Sequence, residues 1–199
     1  DDKGNLSSAS INSVIVDTTP PTANFAAATD DVGNFTGALT SGSTTDDTAL
    51  VLSGSNESGS SVKVYNGSTE LGSATVSGTS WSYTATVANG TTYQFNVKET
   101  DLAGNTSDAT SNFVVTGDTV APGVSLTAAT IKNTGNTVVQ STETGTVYLV
   151  NTTVTVSNLA SITGAADNLW NSVAISSPSS DTNLAATGLA DGTYKAYAM

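Results

Sequence analysis

Apolar and polar residues alternate with a period of two along much of this chain, the spacing of strands with one buried face. Ser61-Val62-Lys63-Val64-Tyr65 alternates cleanly and runs into Asn66-Gly67, a hairpin signal. Thr69-Glu70-Leu71-Gly72-Ser73-Ala74-Thr75-Val76 follows, then a Ser77-Gly78-Thr79 turn. Trp81, Tyr83 and Ala85 share one face of the next segment; after Asn89-Gly90, so do Tyr93, Phe95 and Val97. No stretch sustains a 3.6-residue apolar period over the length of a helix, so none is predicted. Residues 18–117 then hold about seven strands, the number and spacing of a β-sandwich. Lettered in order, A lies near residues 23–27, B at Leu50, C at Val64, C′ or D at Leu71, E at Trp81, F at Phe95 and G at Val114.

A longer period is laid over the short one. Asp1-Asp2-Lys3-Gly4-Asn5 leads through Asn12-Ser13-Val14-Ile15-Val16 to Asp17-Thr18-Thr19-Pro20-Pro21. About one hundred residues later, Asp101-Leu102-Ala103-Gly104-Asn105 leads through Ser111-Asn112-Phe113-Val114-Val115 to Asp118-Thr119-Val120-Ala121-Pro122, the mark of a tandem domain array. The remainder repeats the same grammar. Thr137-Val138-Val139-Gln140-Ser141-Thr142-Glu143-Thr144-Gly145 answers the segment from Leu50 through Glu57-Ser58-Gly59. Val147 and Leu149, then Val154 and Val156, alternate; Leu189-Ala190-Asp191-Gly192-Thr193-Tyr194 answers Val87-Ala88-Asn89-Gly90-Thr91-Thr92-Tyr93.

The expected organisation is therefore all-β, with tandem sandwiches. Residues 1–17 carry the last loop and strand G of a preceding domain with its linker. Residues 18–117 form one domain, and residues 118–199 a divergent one that ends in strand F. A sandwich without its last strand exposes an edge, and the apolar segment 8–16 is a strand without a sheet. Head-to-tail pairing between molecules through this donor strand is the expected consequence.

Composition narrows the function. There are 17 acids against 5 bases, a net charge of −12, with neither histidine nor cysteine. Every base is a lysine. Nucleic acid and anionic membranes are unsuited partners, because both require clustered Lys or Arg. Without His or Cys, nucleophile activation of the Ser-His or Cys-His kind is excluded. The acids sit in turns and linkers with no implied cleft, so no enzyme is read. No apolar run is long enough for a membrane span.

At this point the residues resemble a family. Asp30-Asp31-Val32-Gly33, Thr36-Gly37, Leu39-Thr40-Ser41-Gly42 and Asp46-Asp47 resemble the opening phrase of bacterial Ig-like domains in large repetitive adhesins exported by type I secretion. Glu57-Ser58-Gly59 resembles that family's Glu-x-Gly step, and the 101–105 segment its Asp-x-Ala-Gly-Asn loop. The resemblance spans residues 18–117 and is weaker over 118–199. It implies an immunoglobulin-like fold, a cell-surface location, an extender role beside neighbouring repeats of the same parent chain, and calcium at domain junctions.

Strand topology points to calcium separately. In a seven-stranded sandwich the BC and FG loops share the end where strand A begins. Glu57 (BC), Asp101 (FG) and Asp17 (linker) are thus expected to converge there, with backbone carbonyls near Asn105 completing a shell. Hard oxygen donors with no His or Cys favour Ca2+ over zinc or copper. Asp118 and Glu143 repeat the arrangement at the second junction, with Asp1 or Asp2 of a neighbouring molecule as the missing acid. Asp30, Asp31, Asp46 and Asp47, in the long AB connection, are candidates for another ion. Bound calcium would neutralise facing acids and stiffen a rod.

Other features add less. Trp81 reads as core through its alternation with Tyr83, while Trp170 lies in a polar stretch, Asn168-Leu169-Trp170-Asn171. A ligand-binding role of the second domain, toward carbohydrate or a host surface, is the alternative function. Lys63 and Lys98 lie on strands, and no spacing selects an isopeptide triad around them.

Overall fold

The computed structural model describes residues 3–4, 12–33 and 36–199. The chain divides into two units, Asp1–Thr119 and Val120–Met199.

In the first unit the strands are β1 (Ala27–Asp30), β2 (Gly37–Ala38), β3 (Ser43–Thr45), β4 (Ala49–Ser55), β5 (Ser61–Asn66), β6 (Thr69–Ser73), β7 (Thr75–Ser77), β8 (Ser80–Thr86), β9 (Thr92–Thr100) and β10 (Phe113–Gly117). They form two sheets, β2-β1-β4-β8-β7 and β3-β10-β9-β5-β6. The alternation read from the sequence sets which side chains meet. Leu50 and Leu52 from β4 and Trp81 and Ala85 from β8 face Val62 and Val64 from β5 and Phe95 and Val97 from β9. All of these are buried. Interdigitated apolar faces of two sheets are the stabilising layer of such a sandwich. Trp81 is core, as its phase predicts; its indole N–H donates to the Asn24 carbonyl at 2.9 Å, and its ring meets Phe25 edge-on. Gly67 takes φ +58° at the β5–β6 turn, a conformation that suits glycine there.

The first strand departs from expectation. It starts at Ala27 rather than near residue 23. The Asn24 carbonyl is taken by the Trp81 indole, and the Asn24 side chain accepts from the Ser55 N–H, so Asn24 is tied through side chains and the backbone pairing with β4 begins at the Ala26 N–H on the Ser53 carbonyl. The AB connection also holds two short strands that alternation did not reveal. β3 leaves the first sheet and pairs in parallel with β10 of the second, Ser43 opposite Val115 and Thr45 opposite Gly117.

A buried polar clasp secures that crossing. Asp30, at the end of β1, accepts from the Thr45 hydroxyl at 2.6 Å and from the Val32 N–H at 2.9 Å. Thr45 Oγ1 accepts from the Asp47 N–H at 3.2 Å, and Asp47 Oδ1 accepts from the Ala49 N–H at 2.7 Å, where β4 begins. Asp30, Thr45 and Asp47 are all buried. The carboxylates receive donors that the interrupted ladder leaves unpaired.

The second unit has the sheets β11-β12-β15 and β14-β13-β16. Here β11 is Val124–Leu126, β12 Asn136–Ser141, β13 Gly145–Asn151, β14 Trp170–Ile175, β15 Thr182–Ala185 and β16 Tyr194–Ala198. Its core joins Val139, Val147, Leu149, Ile175, Leu184, Ala186 and Leu189. Val154 and Val156 do not continue a strand as their alternation suggested. Asn151 is buried, and its Oδ1 accepts from the Thr153 N–H and hydroxyl, which turns the chain out of β13. A short helix, α1 (Leu159–Thr163), follows where none was expected. Asn158 caps it by accepting from the Ser161 N–H, and Ile162 anchors it in full burial. Five residues are too few for a helical period to show.

Replacing Thr45 by valine keeps the shape and removes the hydroxyl. Asp30 Oδ2 and the Asp47 N–H then lose a partner in a buried setting, a cost of about 1–3 kcal/mol. Urea unfolding of Thr45→Val should show a lower midpoint at unchanged slope.

Candidate functional site

The acid-bearing loops of the first unit gather around the end of β9. Along β9, Tyr93, Phe95, Val97 and Glu99 follow one another at every second position, so an acid continues an apolar face. Glu99 is buried. Its Oε1 accepts from the Glu57 N–H at 2.5 Å and from the Ser60 hydroxyl at 2.5 Å. The Ser107 hydroxyl accepts from the Glu99 N–H at 3.0 Å. The Ser60 backbone N–H donates to the Glu57 carbonyl at 3.1 Å, and the Asn56 amide donates to that same carbonyl. Glu99 thereby fastens the β4–β5 loop onto β9. Its other oxygen, Oε2, is buried without a hydrogen-bond partner. Sequence reasoning passed over Glu99, although its place in phase with Phe95 and Val97 was the available signal.

Beyond Glu99 the 101–105 loop closes on itself. Asp101 Oδ1 accepts from the Asn105 N–H at 2.8 Å and Oδ2 from the Asn105 side-chain amide at 2.9 Å. The Asp101 N–H donates to the Asn105 carbonyl at 3.0 Å. Gly104 takes φ +93°, which lets so short a loop return. The Asn105 side chain, followed by backbone N–H donors of Asn105, Gly104 and Ala103, holds the Asp101 carboxyl below its ordinary range against a smaller opposing effect of desolvation. The same Asn105 amide donates to the Asp17 carbonyl at 3.2 Å, which ties the linker to the loop. The two loops are neighbours: a β-carbon at Gly59 would stand 2.9 Å from a methyl of Leu102.

The structure thus brings Asp17, Asp101 and Asn105 together and sets Glu57 in the adjoining loop. It does not assemble the expected group of three carboxylates. Asp17 offers its carbonyl to Asn105 and turns Oδ1 to the Thr19 N–H at 3.0 Å. Glu57 engages Glu99 through its backbone and is exposed. Among the described residues, no three His, Cys, Asp or Glu side chains stand where they could hold one metal ion. In the AB connection Asp30 and Asp47 are consumed by the clasp, while Asp31 and Asp46 are exposed. Asp118 is exposed and donates its N–H to the Thr45 carbonyl, and Glu143 is half-buried with its N–H on the Ser141 hydroxyl. These two belong to separate units. Asp1 and Asp2 lie outside the described residues, as do positions 8–11 of the donor segment.

The oxygens gathered at this end are all hard donors, the Asp101 carboxylate and the Asp17 carbonyl, and each already accepts from Asn105. That chemistry fits calcium with a largely aqueous shell and suits soft metals poorly. Elsewhere, Trp170 is half-buried beside Tyr148, with ring centroids 6.0 Å apart, and takes no place in an exposed aromatic cluster. Lys63 pairs with Glu70 across β5 and β6 at 2.9 Å, and Lys98 lies over the Tyr65 ring. Among the described residues no helix is long and apolar enough to cross a membrane.

The depressed ionisation of Asp101 has a sign. A carboxyl held lower in the folded state than in the unfolded one contributes stability above its unfolded value, and loses it as pH falls through the folded value. Carbon-detected NMR titration should place the Asp101 midpoint below 3.8 in the wild type. Asn105→Ala should move it back toward that value.

A family model for the bacterial Ig-like domain matches residues 19–119, just over half of the chain, and the second unit lies outside the match. The comparison with curated proteins gives no match. Domains of this kind are typically surface-exposed or extracellular and generally non-catalytic. The chain belongs to the bacterial Ig-like domain family.

Proposed function

We propose that this chain is a structural spacer of a bacterial surface protein of the adhesin kind, working beside neighbouring repeats of its parent chain and doing no chemistry of its own. The observation that carries this reading is the use made of the acids. Asp30, Asp47 and Glu99 are buried, and Asp101 is bound by its own loop; each fastens a turn to a strand. A catalytic site would instead leave paired carboxylates facing a common space. Loops tied at both ends of a sandwich give a stiff unit, which suits a part whose task is to hold distance. The finer part of the proposal is calcium at the end formed by Asp17, Asp101 and Asn105. An ionised Asp101, hard oxygens and a net charge of −12 support it. With few protein ligands the affinity belongs in the range of extracellular modules, around 10⁻⁴–10⁻³ M.

Two measurements test these parts separately. The spacer reading expects no selective glycan binding by the chain on an array; reproducible capture of one glycan class would replace it with the ligand-binding alternative. The calcium reading expects a melting temperature several degrees higher in calcium than in chelator, since a tenfold excess over Kd stabilises by about 1.4 kcal/mol. Asp101→Asn should abolish the difference. Equal melting curves in the wild type would remove calcium and leave the spacer.

A further inference from the structure

Asn-Gly occurs twice in the sequence, at Asn66-Gly67 and Asn89-Gly90. This pair is the asparagine context most open to self-attack. Glycine has no side chain to bar its nitrogen from the γ-carbon of the preceding asparagine, and its backbone turns freely. Ring closure follows when the two atoms meet in line, so the local hold on the pair governs the rate.

The structure holds the two pairs with different partners. At Asn66 the partner is a central strand. Its Oδ1 accepts from the Gln94 N–H at 2.8 Å, and the Gly67 N–H donates to the Gln94 carbonyl at 2.8 Å. Gln94 lies in β9, which is flanked by β10 and β5. Freeing this pair means opening the sheet. At Asn89, in the turn between β8 and β9, the partner is the segment that leaves β10. Asn89 Oδ1 accepts from the Thr119 N–H at 2.9 Å, and the Gly90 N–H donates to the Gly117 carbonyl at 2.8 Å. Asn89 and Gly90 are both exposed.

That exit segment is fitted closely to the turn. The Gly117 N–H donates to the Thr91 carbonyl at 2.9 Å, and the Asp118 N–H to the Thr45 carbonyl at 2.8 Å. Gly117 is buried, and a β-carbon there would stand 2.3 Å from the Ala88 carbonyl oxygen and 2.6 Å from a methyl of Val87. Both groups that ring closure needs are therefore occupied by residues 117–119. Ties of this kind at the rim open more readily than a ladder in the middle of a sheet.

We propose that Asn89 is a site of spontaneous deamidation, closed while residues 117–119 lie on the turn and open when they lift. The Gly90 nitrogen bonds to the Asn89 γ-carbon and gives up its proton, and the γ-amide nitrogen leaves as ammonia. Water then opens the succinimide at one of its two carbonyls, leaving aspartate or isoaspartate at position 89. Isoaspartate adds a methylene to the main chain of the turn, so its donor and acceptor no longer match Gly117 and Thr119. Either product adds a negative charge to a turn bound to the residues on both sides of the exposed Asp118. Each conversion thus loosens the exit segment permanently.

Ageing of the intact chain at mildly alkaline pH, followed by peptide mapping with mass detection, tests this with Asn66 as a standard inside the same molecule. In guanidinium the two sites should convert at similar rates. In the folded chain both should slow, Asn66 far more than Asn89. Thr119→Pro removes the N–H that Asn89 accepts and should speed conversion at Asn89 by roughly three- to tenfold, the effect of losing one ordinary hydrogen bond, with Asn66 unchanged. Gly117→Ala forces the segment off the turn and should act in the same direction. The acidic aged species, separated by anion exchange, should show faster hydrogen exchange at Gly90 and Thr119 than its parent, and the same exchange at Gly67. A folded wild type in which Asn66 converts as fast as Asn89 overturns the proposal. So does a rate at Asn89 that Thr119→Pro leaves unmoved. Unchanged exchange at Thr119 after conversion overturns the loosening of the exit segment.

Discussion

Two sheets close over one apolar layer only if the chain passes from one to the other, and each passage carries polar backbone through the edge of the core. Unpaired N–H and C=O groups are costly there. In the first unit this constraint falls on the segment between β1 and β4. It is met by Asp30, Thr45 and Asp47, whose side chains supply the acceptors that the broken ladder lacks. The parallel pairing of β3 with β10 depends on that crossing, and β10 covers β9 in turn. Glu99 performs the same service at the far end of β9, where it holds the turn between β4 and β5.

The acidity of the chain takes on a different meaning in this light. A charge of −12 without histidine suggests cation sites or simple solubility. Part of it is neither. Buried carboxylates serve as strong acceptors for backbone donors, a role neutral side chains fill less well. The 101–105 loop shows the same economy at the surface: one aspartate and one asparagine bind each other, and the asparagine reaches on to the linker at Asp17.

Much of the fold was legible because burial on one face of a strand leaves a period of two, which any side chain reports. Leu50, Val64, Trp81, Phe95 and Val114 each lie in a strand that alternation predicted. Glu99 was legible in principle, as an acid in phase with Phe95 and Val97, and was hidden by the habit of reading acids as exposed. The short elements were not legible. β2 and β3 are two and three residues long, and α1 is held by a cap and one anchoring isoleucine. Val154 and Val156 alternate as a strand does, yet Asn151 turns the chain first.

By itself the sequence determined the all-β class, the repeat of loop, strand and linker, and the adjacency of the 57–59 and 101–105 loops, because periodicity and connectivity are properties of chain order. The tertiary structure decided which atom of each acid faces inward. Asp17 presents a carbonyl, Asp101 a carboxylate bound to Asn105, and Glu57 an N–H. That choice rests on backbone direction within a loop and on competing donors at about 3 Å, where a rotation of one peptide exchanges a carboxylate for an amide. Chain order places loops side by side; only packed geometry selects the groups through which they touch.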